Sequence, residues 1–527
     1  MGIYVNPGNG LFEMARFSNI YIDKSMLIAK MNDVYRTEKR FVCVSRPRRF
    51  GKSMAANMLS AYYSRGCTSA ALFSGLKIET DKSFQEHLNR HNVIRIDVQR
   101  FLDTPKMLPL FMSEIEHQIV SELISEFPNC TGFDSDSRLK NALDQIFIQT
   151  AMGFIFIIDE WDCVFRAAKN NKEIQKEYLD FLRGLLKGSE YVELAYMTGI
   201  LPIKKYGEHS AINIFDEYSM IAPKNLGAYF GFTKEEVRAQ CEKQNVNYTE
   251  VERWYDGYRL GNLSIYNPKS VIDVLTWHEF QSYWTGTETY EALKVYIDLN
   301  FDRLKENIAI MLGNGHCKVN TRRFQNDMTT LRTKDDVFTL LIHLGYLTYD
   351  KDHEETFIPN QEIAQEFLNA ADDTGWNGLV QALNHSEALL KRTWALDGTA
   401  VAEKLSGIHS ETASILKYNN ETALTCAVLI AYYSAKAYYI NPAMELPTGK
   451  GFADVVYLPK RNVNVPALIV ELKWDKSANG AIAQIKKNAY VSWIEGYTGD
   501  ILLIGINYSK KDKKHTCVIE KYVKESV

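Results

Sequence analysis

The chain has 527 residues, which at about 100–200 residues per domain predicts three or four domains. Hydrophobic residues make up 46% and charged residues 24%, a globular balance that excludes disorder as the main state. The formal net charge of −4 excludes a globally basic coat protein for nucleic acid but not an enzyme with a locally basic groove.

The first 230 or so residues alternate short apolar runs with longer amphipathic stretches. Phe41–Val44, Val93–Val98, Phe154–Ile158 and Val192–Met197 predict buried strands, spaced widely enough for crossover helices and hence for a parallel α/β sheet. From Tyr248 the texture turns helical and aromatic, dense around Trp254, Tyr255, Tyr258, Tyr283 and Trp284; the cluster Trp254-Tyr255-Asp256-Gly257-Tyr258 predicts interdomain core. Asp335–Leu347 predicts a helix ended by Gly345, Thr348–Pro359 a small hairpin and Gln361–Ala370 a second helix, a winged-helix-like order. From Tyr418 onward, helix, strand hairpin, helix and strand predict a compact α/β unit. The expected divisions are residues 1–240, 241–395 and 396–527. No CxxC pair occurs among the eight cysteines, which favours reduced thiols over a zinc ribbon or disulfide framework. The polar N-terminus lacks a signal-peptide pattern, and the apolar runs fall far short of the ~20 residues of a membrane span. A cytoplasmic protein without a membrane partner is expected.

Ser45-Arg46-Pro47-Arg48-Arg49-Phe50-Gly51-Lys52-Ser53 follows the first strand and precedes the helical run Met54–Tyr63. A phosphate-binding loop needs this context: backbone N–H groups and a helix N-terminus cradle phosphate while the lysine reaches the β and γ oxygens. Lys52 has that place, on what reads as an exposed loop, and the Ser53 hydroxyl is placed for Mg²⁺. Arg48, Arg49, Phe50 and Gly51 complete the loop, the two arginines serving as phosphate contacts or as surface charge. Arg46 stands where a glycine is usual, so its side chain must point away from the cradle. The alternative is a basic turn leading into a helix. Phe154–Ile158 then runs into Asp159-Glu160, the aspartate suited to hold Mg²⁺ and the glutamate to polarise an attacking water. Thr198 ends the next strand as a γ-phosphate sensor or a satisfied strand-end hydroxyl.

A second constellation lies near the C-terminus. Gly451–Tyr457 and Ala467–Lys473 predict two strands joined by a turn at Pro459–Pro466. Folding this hairpin about its midpoint sets Asp454 opposite Glu471, and the period of two puts Lys473 on the face of Glu471. Two carboxylates and a lysine suit metal-assisted phosphodiester hydrolysis, the acids as Mg²⁺ ligands and the lysine acting on water or developing charge. The alternative is an exposed hairpin with one Glu–Lys pair. Glu421, on the preceding helix, is a candidate outer metal ligand. Gln484 opens the following helix, where an amide can position the nucleophile or a phosphate, and Lys486 and Lys487 make that helix locally basic.

Arg46-Pro47-Arg48-Arg49-Phe50-Gly51-Lys52-Ser53, Ile158-Asp159-Glu160, Thr198-Gly199-Ile200-Leu201-Pro202, Trp254-Tyr255-Asp256-Gly257-Tyr258 and the early Tyr21-Ile22-Asp23-Lys24-Ser25 together resemble the AAA-ATPase-like proteins abundant in gut bacteria. Arg46 in place of glycine is normal in that family. The resemblance implies a C-terminal PD-(D/E)XK nuclease domain, with Asp454, Glu471-Leu472-Lys473 and Gln484 as its core motif and Asn420-Glu421 on its preceding helix. It implies ATP and Mg²⁺ as cofactors and nucleic acid, DNA before RNA, as partner, with self-association into a homo-oligomer as a further expectation. The competing reading is a nucleotide-switched protein that binds DNA or a partner without cutting.

Overall fold

The computed structural model describes residues 2–102, 107–203, 212–284, 293–296, 301–324, 331–373, 377–412, 421–440, 443–448, 451–461, 463–488 and 497–522. The chain divides into two compact units, Met1–Tyr283 with Asn320–Asp352, and Trp284–Val319 with His353–Val527.

In the first unit, β1 (Phe41–Ser45), β2 (Asn92–Asp97), β3 (Phe154–Asp159), β4 (Val192–Gly199) and β5 (Asp216–Tyr218) form one sheet in the order β2-β3-β4-β1-β5. Every pairing is parallel, as the run-and-crossover pattern predicts. Successive residues face opposite sides, and both sides are covered. Val42, Val44, Ile155, Ile157 and Tyr196 enter a core shared with the helix Lys52–Tyr63. Phe41, Cys43, Phe156, Ile158 and Met197 enter another, shared with the helices Phe111–Glu126, Leu139–Thr150 and Lys172–Leu186. Burial on both faces is why these strands read as unbroken apolar runs. The short strand β5 is absent from the sequence pattern: its three residues, Asp-Glu-Tyr, are half-buried at the sheet edge and carry no apolar run. Because all five strands run the same way, their carboxyl ends gather Ser45, Asp97, Asp159 and Thr198 along one edge, where ligands of such sheets bind.

Trp254, Tyr255, Tyr258 and Tyr283 lie within this unit, and Trp284 opens the second. Tyr258–Leu260, Leu263–Tyr266 and Phe232–Thr233 form a small antiparallel sheet. The Tyr258 ring stands edge-on to Phe50 with centroids 5.2 Å apart, and its hydroxyl donates to Gly345 O at 2.9 Å. The early Asp-Lys-Ser motif is also a clasp: Lys24 Nζ donates to Ala228 O at 2.7 Å and pairs with Glu236 at 2.6 Å. The helix Lys334–Leu344 starts at a Thr333 capping box and stops at Gly345, whose φ of 87° suits a residue without Cβ. Strands Thr348–Asp350 and Glu355–Phe357 and the helix Gln361–Asp373 follow in the anticipated order; the boundary between the units passes between Asp352 and His353.

The second unit holds the helices Leu304–Leu312, Asn377–Trp394, Gly398–Thr412 and Glu421–Ala431, followed by a mixed sheet. Its strands β6 (Ala443–Thr448), β7 (Gly451–Tyr457), β8 (Ala467–Trp474), β9 (Ile501–Ser509) and β10 (Lys514–Lys521) lie in sequential order. Only the β8–β9 pairing is parallel, and the helix Ala478–Lys487 makes that crossover. Ile482 and Ile485 of this helix pack on Ala467, Ile469, Ile501 and Leu503. The outer strands β6 and β10 leave a weak sequence signal because edge strands tolerate Pro447 and a polar run such as Lys-His-Thr-Cys. Among the described residues no helix is long and apolar enough to cross a membrane, and Cys43, Cys67, Cys130, Cys163, Cys241, Cys317 and Cys517 are free thiols.

Candidate functional site

The first site grows out of the end of β1. Arg49 and Gly51 both take left-handed backbone, φ 67° and 87°, which curls the loop back before the helix begins at Lys52. Lys52 is only 4% exposed, not on an open loop as the sequence suggests. Its ammonium donates to Arg46 O at 3.1 Å and Pro47 O at 3.0 Å and lies 3.7 Å from Glu160 Oε1. Arg46 is fully buried and turns away from the loop, donating to Ser45 O at 2.8 Å and Tyr218 O at 2.7 Å beneath the Phe230 ring. Burial pulls its pKa down to about 9. Arg46 therefore anchors the loop to β5 and leaves the cradle open. Ser53 and Arg49 are exposed and Arg48 half-buried; Arg49 Nη1 donates to Tyr283 O at 2.8 Å.

Asp159 and Glu160 divide their tasks through the backbone. Asp159 is buried and its Oδ1 accepts the Thr198 hydroxyl and the Glu160 N–H. Thr198 is thus a satisfied hydroxyl that orients the aspartate. Glu160 has φ 54°, which swings its carboxylate towards Lys52 and towards Arg166 Nη2 at 3.1 Å. Burial raises the Glu160 pKa, but Lys52 and Arg166 outweigh it and the net shift is downward. Burial dominates at Lys52 and lowers its pKa against the pull of Glu160 and Asp159.

Three residues of this edge carry no motif in the sequence. Asp162 is fully buried and accepts Ile200 N–H at 3.1 Å and Leu201 N–H at 3.0 Å, strapping down the loop after β4. Gly199 is obligatory there, since a Cβ would stand 2.6 Å from Asp162 and Trp161. Arg166 bridges Asp162 at 3.0 Å; the i,i+4 spacing is the available signal. Asp97 pairs in register with Asp159, and burial, then the Asp159 charge, raises its pKa.

The second site lies on β7 and β8. Their antiparallel register pairs Val455 with Val470, Val456 with Ile469 and Tyr457 with Leu468; one further step sets Asp454 opposite Glu471. Asp454 Oδ2 accepts Leu472 N–H at 2.6 Å. Glu471 is 1% exposed, and Lys473 Nζ donates to its Oε1 at 2.7 Å. This face continues the apolar row Ala467 and Ile469, so it is the face covered by the helix Ala478–Lys487. That helix carries Gln484, half-buried. Lys486 is paired with Glu520 at 2.5 Å. Glu421 opens the helix Glu421–Ala431, and its side chain lies outside the described residues.

Oxygen donors without thiol or imidazole suit a hard cation such as Mg²⁺, which keeps several waters and needs only one or two carboxylates. Asp454 and Glu471 fit that demand. Among the described residues no group of three or more His, Cys, Asp or Glu is assembled for a metal.

Residues 11–207 match the family model described as Predicted AAA-ATPase, and residues 420–518 match the PD-(D/E)XK nuclease superfamily. The chain thus carries an AAA-ATPase-like domain and, towards its C-terminus, a PD-(D/E)XK nuclease-superfamily domain. It is also similar, at 23% identity over 494 residues, to an uncharacterized protein in the vnfD 5′ region of Azotobacter chroococcum mcd 1. That alignment covers 89% of this chain and 90% of the other.

Proposed function

We propose that the protein binds and hydrolyses ATP through its N-terminal domain and cuts phosphodiester bonds of nucleic acid, DNA before RNA, through its C-terminal domain with Mg²⁺. The observation that carries this reading is the trio of Asp454, Glu471 and Lys473, two acids facing across a hairpin with a lysine 2.7 Å from one of them. Asp454 and Glu471 are the residues to hold the ion, which when bound polarises the phosphoryl oxygen and lowers the pKa of water. Lys473 steadies the water or the developing charge, and Gln484 positions the nucleophile or a neighbouring phosphate. At the other site Lys52 and the loop Arg48–Gly51 receive the phosphates, and Ser53 and Asp159 suit the accompanying Mg²⁺. Glu160 takes the proton of the attacking water, while Thr198 keeps Asp159 in place. Phosphates arriving at Lys52 compete with Glu160 for its charge, which gives nucleotide state a way to alter the glutamate that does the chemistry. The decisive experiment is a cleavage assay on plasmid, linear and single-stranded DNA, with and without divalent ion and ATP. Divalent-dependent cutting is expected; DNA binding without cutting under any condition overturns the nuclease reading in favour of a nucleotide-switched binding protein.

A further inference from the structure

The turn between β9 and β10 reads Lys510-Lys511-Asp512-Lys513-Lys514, and Lys476 follows the end of β8. All five lysines are exposed, in a chain whose net charge is −4. The turn is held in shape from within. Lys510 N–H donates to Asp475 Oδ1 at 2.7 Å, and Asp475 N–H donates to Tyr508 O at 2.9 Å. Ser509 Oγ donates to Asp512 Oδ2 at 2.8 Å, and Lys476 N–H donates to Asn507 Oδ1 at 2.9 Å. The only carboxylates in the two turns, Asp475 and Asp512, are therefore engaged with the backbone and with Ser509. Lys486 and Lys521, by contrast, sit against Glu520 and Asp500.

Position gives this charge a meaning. β8 and β9 run parallel in register, Glu471 beside Gly505 and Lys473 beside Asn507, so both strands end on the side of the acid pair. At ~3.3 Å per residue the lysine turn begins about 17 Å beyond Glu471 along the strand direction. That is a few nucleotides of chain, close enough for one strand to touch both. We propose that Lys510, Lys511, Lys513 and Lys514, with Lys476, form the surface that receives the phosphate backbone of a nucleic-acid strand and leads it to Asp454 and Glu471. Lysines suit this task because an ammonium binds phosphate as a point charge without demanding a sequence or a bidentate geometry. The inference rests on the nuclease reading above.

The test uses the full chain and a labelled DNA duplex, with an RNA duplex of the same sequence in parallel, and follows binding by fluorescence anisotropy across a salt series. Replacing Lys510, Lys511, Lys513 and Lys514 by Gln is expected to weaken binding about tenfold or more at low salt and to reduce the slope of log K against log salt by about 2–4, the release expected from that many phosphate contacts. Four Lys→Arg replacements at the same positions restore both. In the cleavage assay the Gln variant raises KM and leaves kcat within about twofold, as expected for lost uniform binding. Equal affinity and slope in wild type and Gln variant, with wild type cutting, overturn the lysine surface and spare the nuclease site. A wild type that neither binds nor cuts either duplex overturns both.

Discussion

Lys52 and Lys473 are both buried beside a glutamate, at 4% and 9% exposure, but their surroundings are wired differently. Lys473 meets Glu471 two residues away on one strand, and Asp454 joins them across a single hairpin. Lys52 meets Glu160 only because β4 lies between β1 and β3 and brings distant strand ends to one edge. The charges differ as well. At the sheet edge of the first unit, Lys52, Arg166 and Arg48 balance Glu160, a setting in which an incoming phosphate competes for cations already engaged. At the second site two acids face one lysine, a balance that invites a cation. One site is built by local strand geometry and calls for positive charge; the other is built by topology and must exchange one anion for another.

Asp454→Asn gives the largest break in that comparison. On the proposed reading it removes a hard anionic ligand for Mg²⁺, and losing several kcal/mol of charge stabilisation should slow cleavage by about 10²–10⁴-fold. ATP binding, measured by titration with a fluorescent nucleotide, should be unchanged; equal cleavage by wild type and variant would assign the activity elsewhere. Glu160→Gln tests the other wiring. Glutamine keeps the size and can still accept from Arg166, so nucleotide binding persists while steady-state hydrolysis falls by about 10²–10⁴-fold, the scale of a general base. Normal turnover would leave Glu160 a structural acid. Lys473→Ala is milder, about 10²-fold in cleavage rate with little change in the Mg²⁺ concentration for half-maximal activity, because a donor to developing charge is lost rather than a metal ligand. A shift in Mg²⁺ dependence alone would place the lysine's role in building the metal site.

The same contrast explains what can be read from the sequence. The Asp454–Glu471 juxtaposition is legible because a hairpin is symmetric about its turn and side chains alternate with period two. The strands β1 to β4 are legible because both faces are buried, as the cores around Val42 and Phe41 demonstrate. Asp97 and Asp162 are not, since nothing in the sequence says which strand lies beside β3 or which loop needs strapping. The burial of Lys52 is hidden for a related reason: the left-handed Arg49 and Gly51 that fold the loop over it leave no periodic trace. The lysine turn is visible as composition, yet only the parallel β8–β9 pairing sets it at the end of the strands that carry the acids.

The last expected effect bears on stability in acid rather than on rate, and it concerns His515. Its ring packs 4.9 Å from Tyr508 and 5.3 Å from His409, with Nδ1 at 3.2 Å from Ser406 Oγ. Burial, helped by the charge of His409, lowers its pKa from 6.5 to about 4; burial alone does the same to His409. Both rings are neutral in the folded protein at neutral pH and take up protons more readily once unfolded. Their contribution is therefore complete above pH 6.5 and is lost as pH falls towards about 4. For the well-buried His515 the loss reaches about 3 kcal/mol at the low end, since each tenfold change in proton affinity is worth roughly 1.4 kcal/mol; His409 is more open to solvent and adds less. Hydrogen exchange in the full chain should show protection of β9 and β10 falling as pH drops from about 6.5 towards about 4, the window between the unfolded and folded affinities. His515→Phe keeps the ring contacts but cannot titrate, and Ser406 Oγ still donates to Ala402 O at 3.0 Å, so the acid slope should shrink by half or more. An unchanged slope in that variant would move the acid sensitivity to other groups.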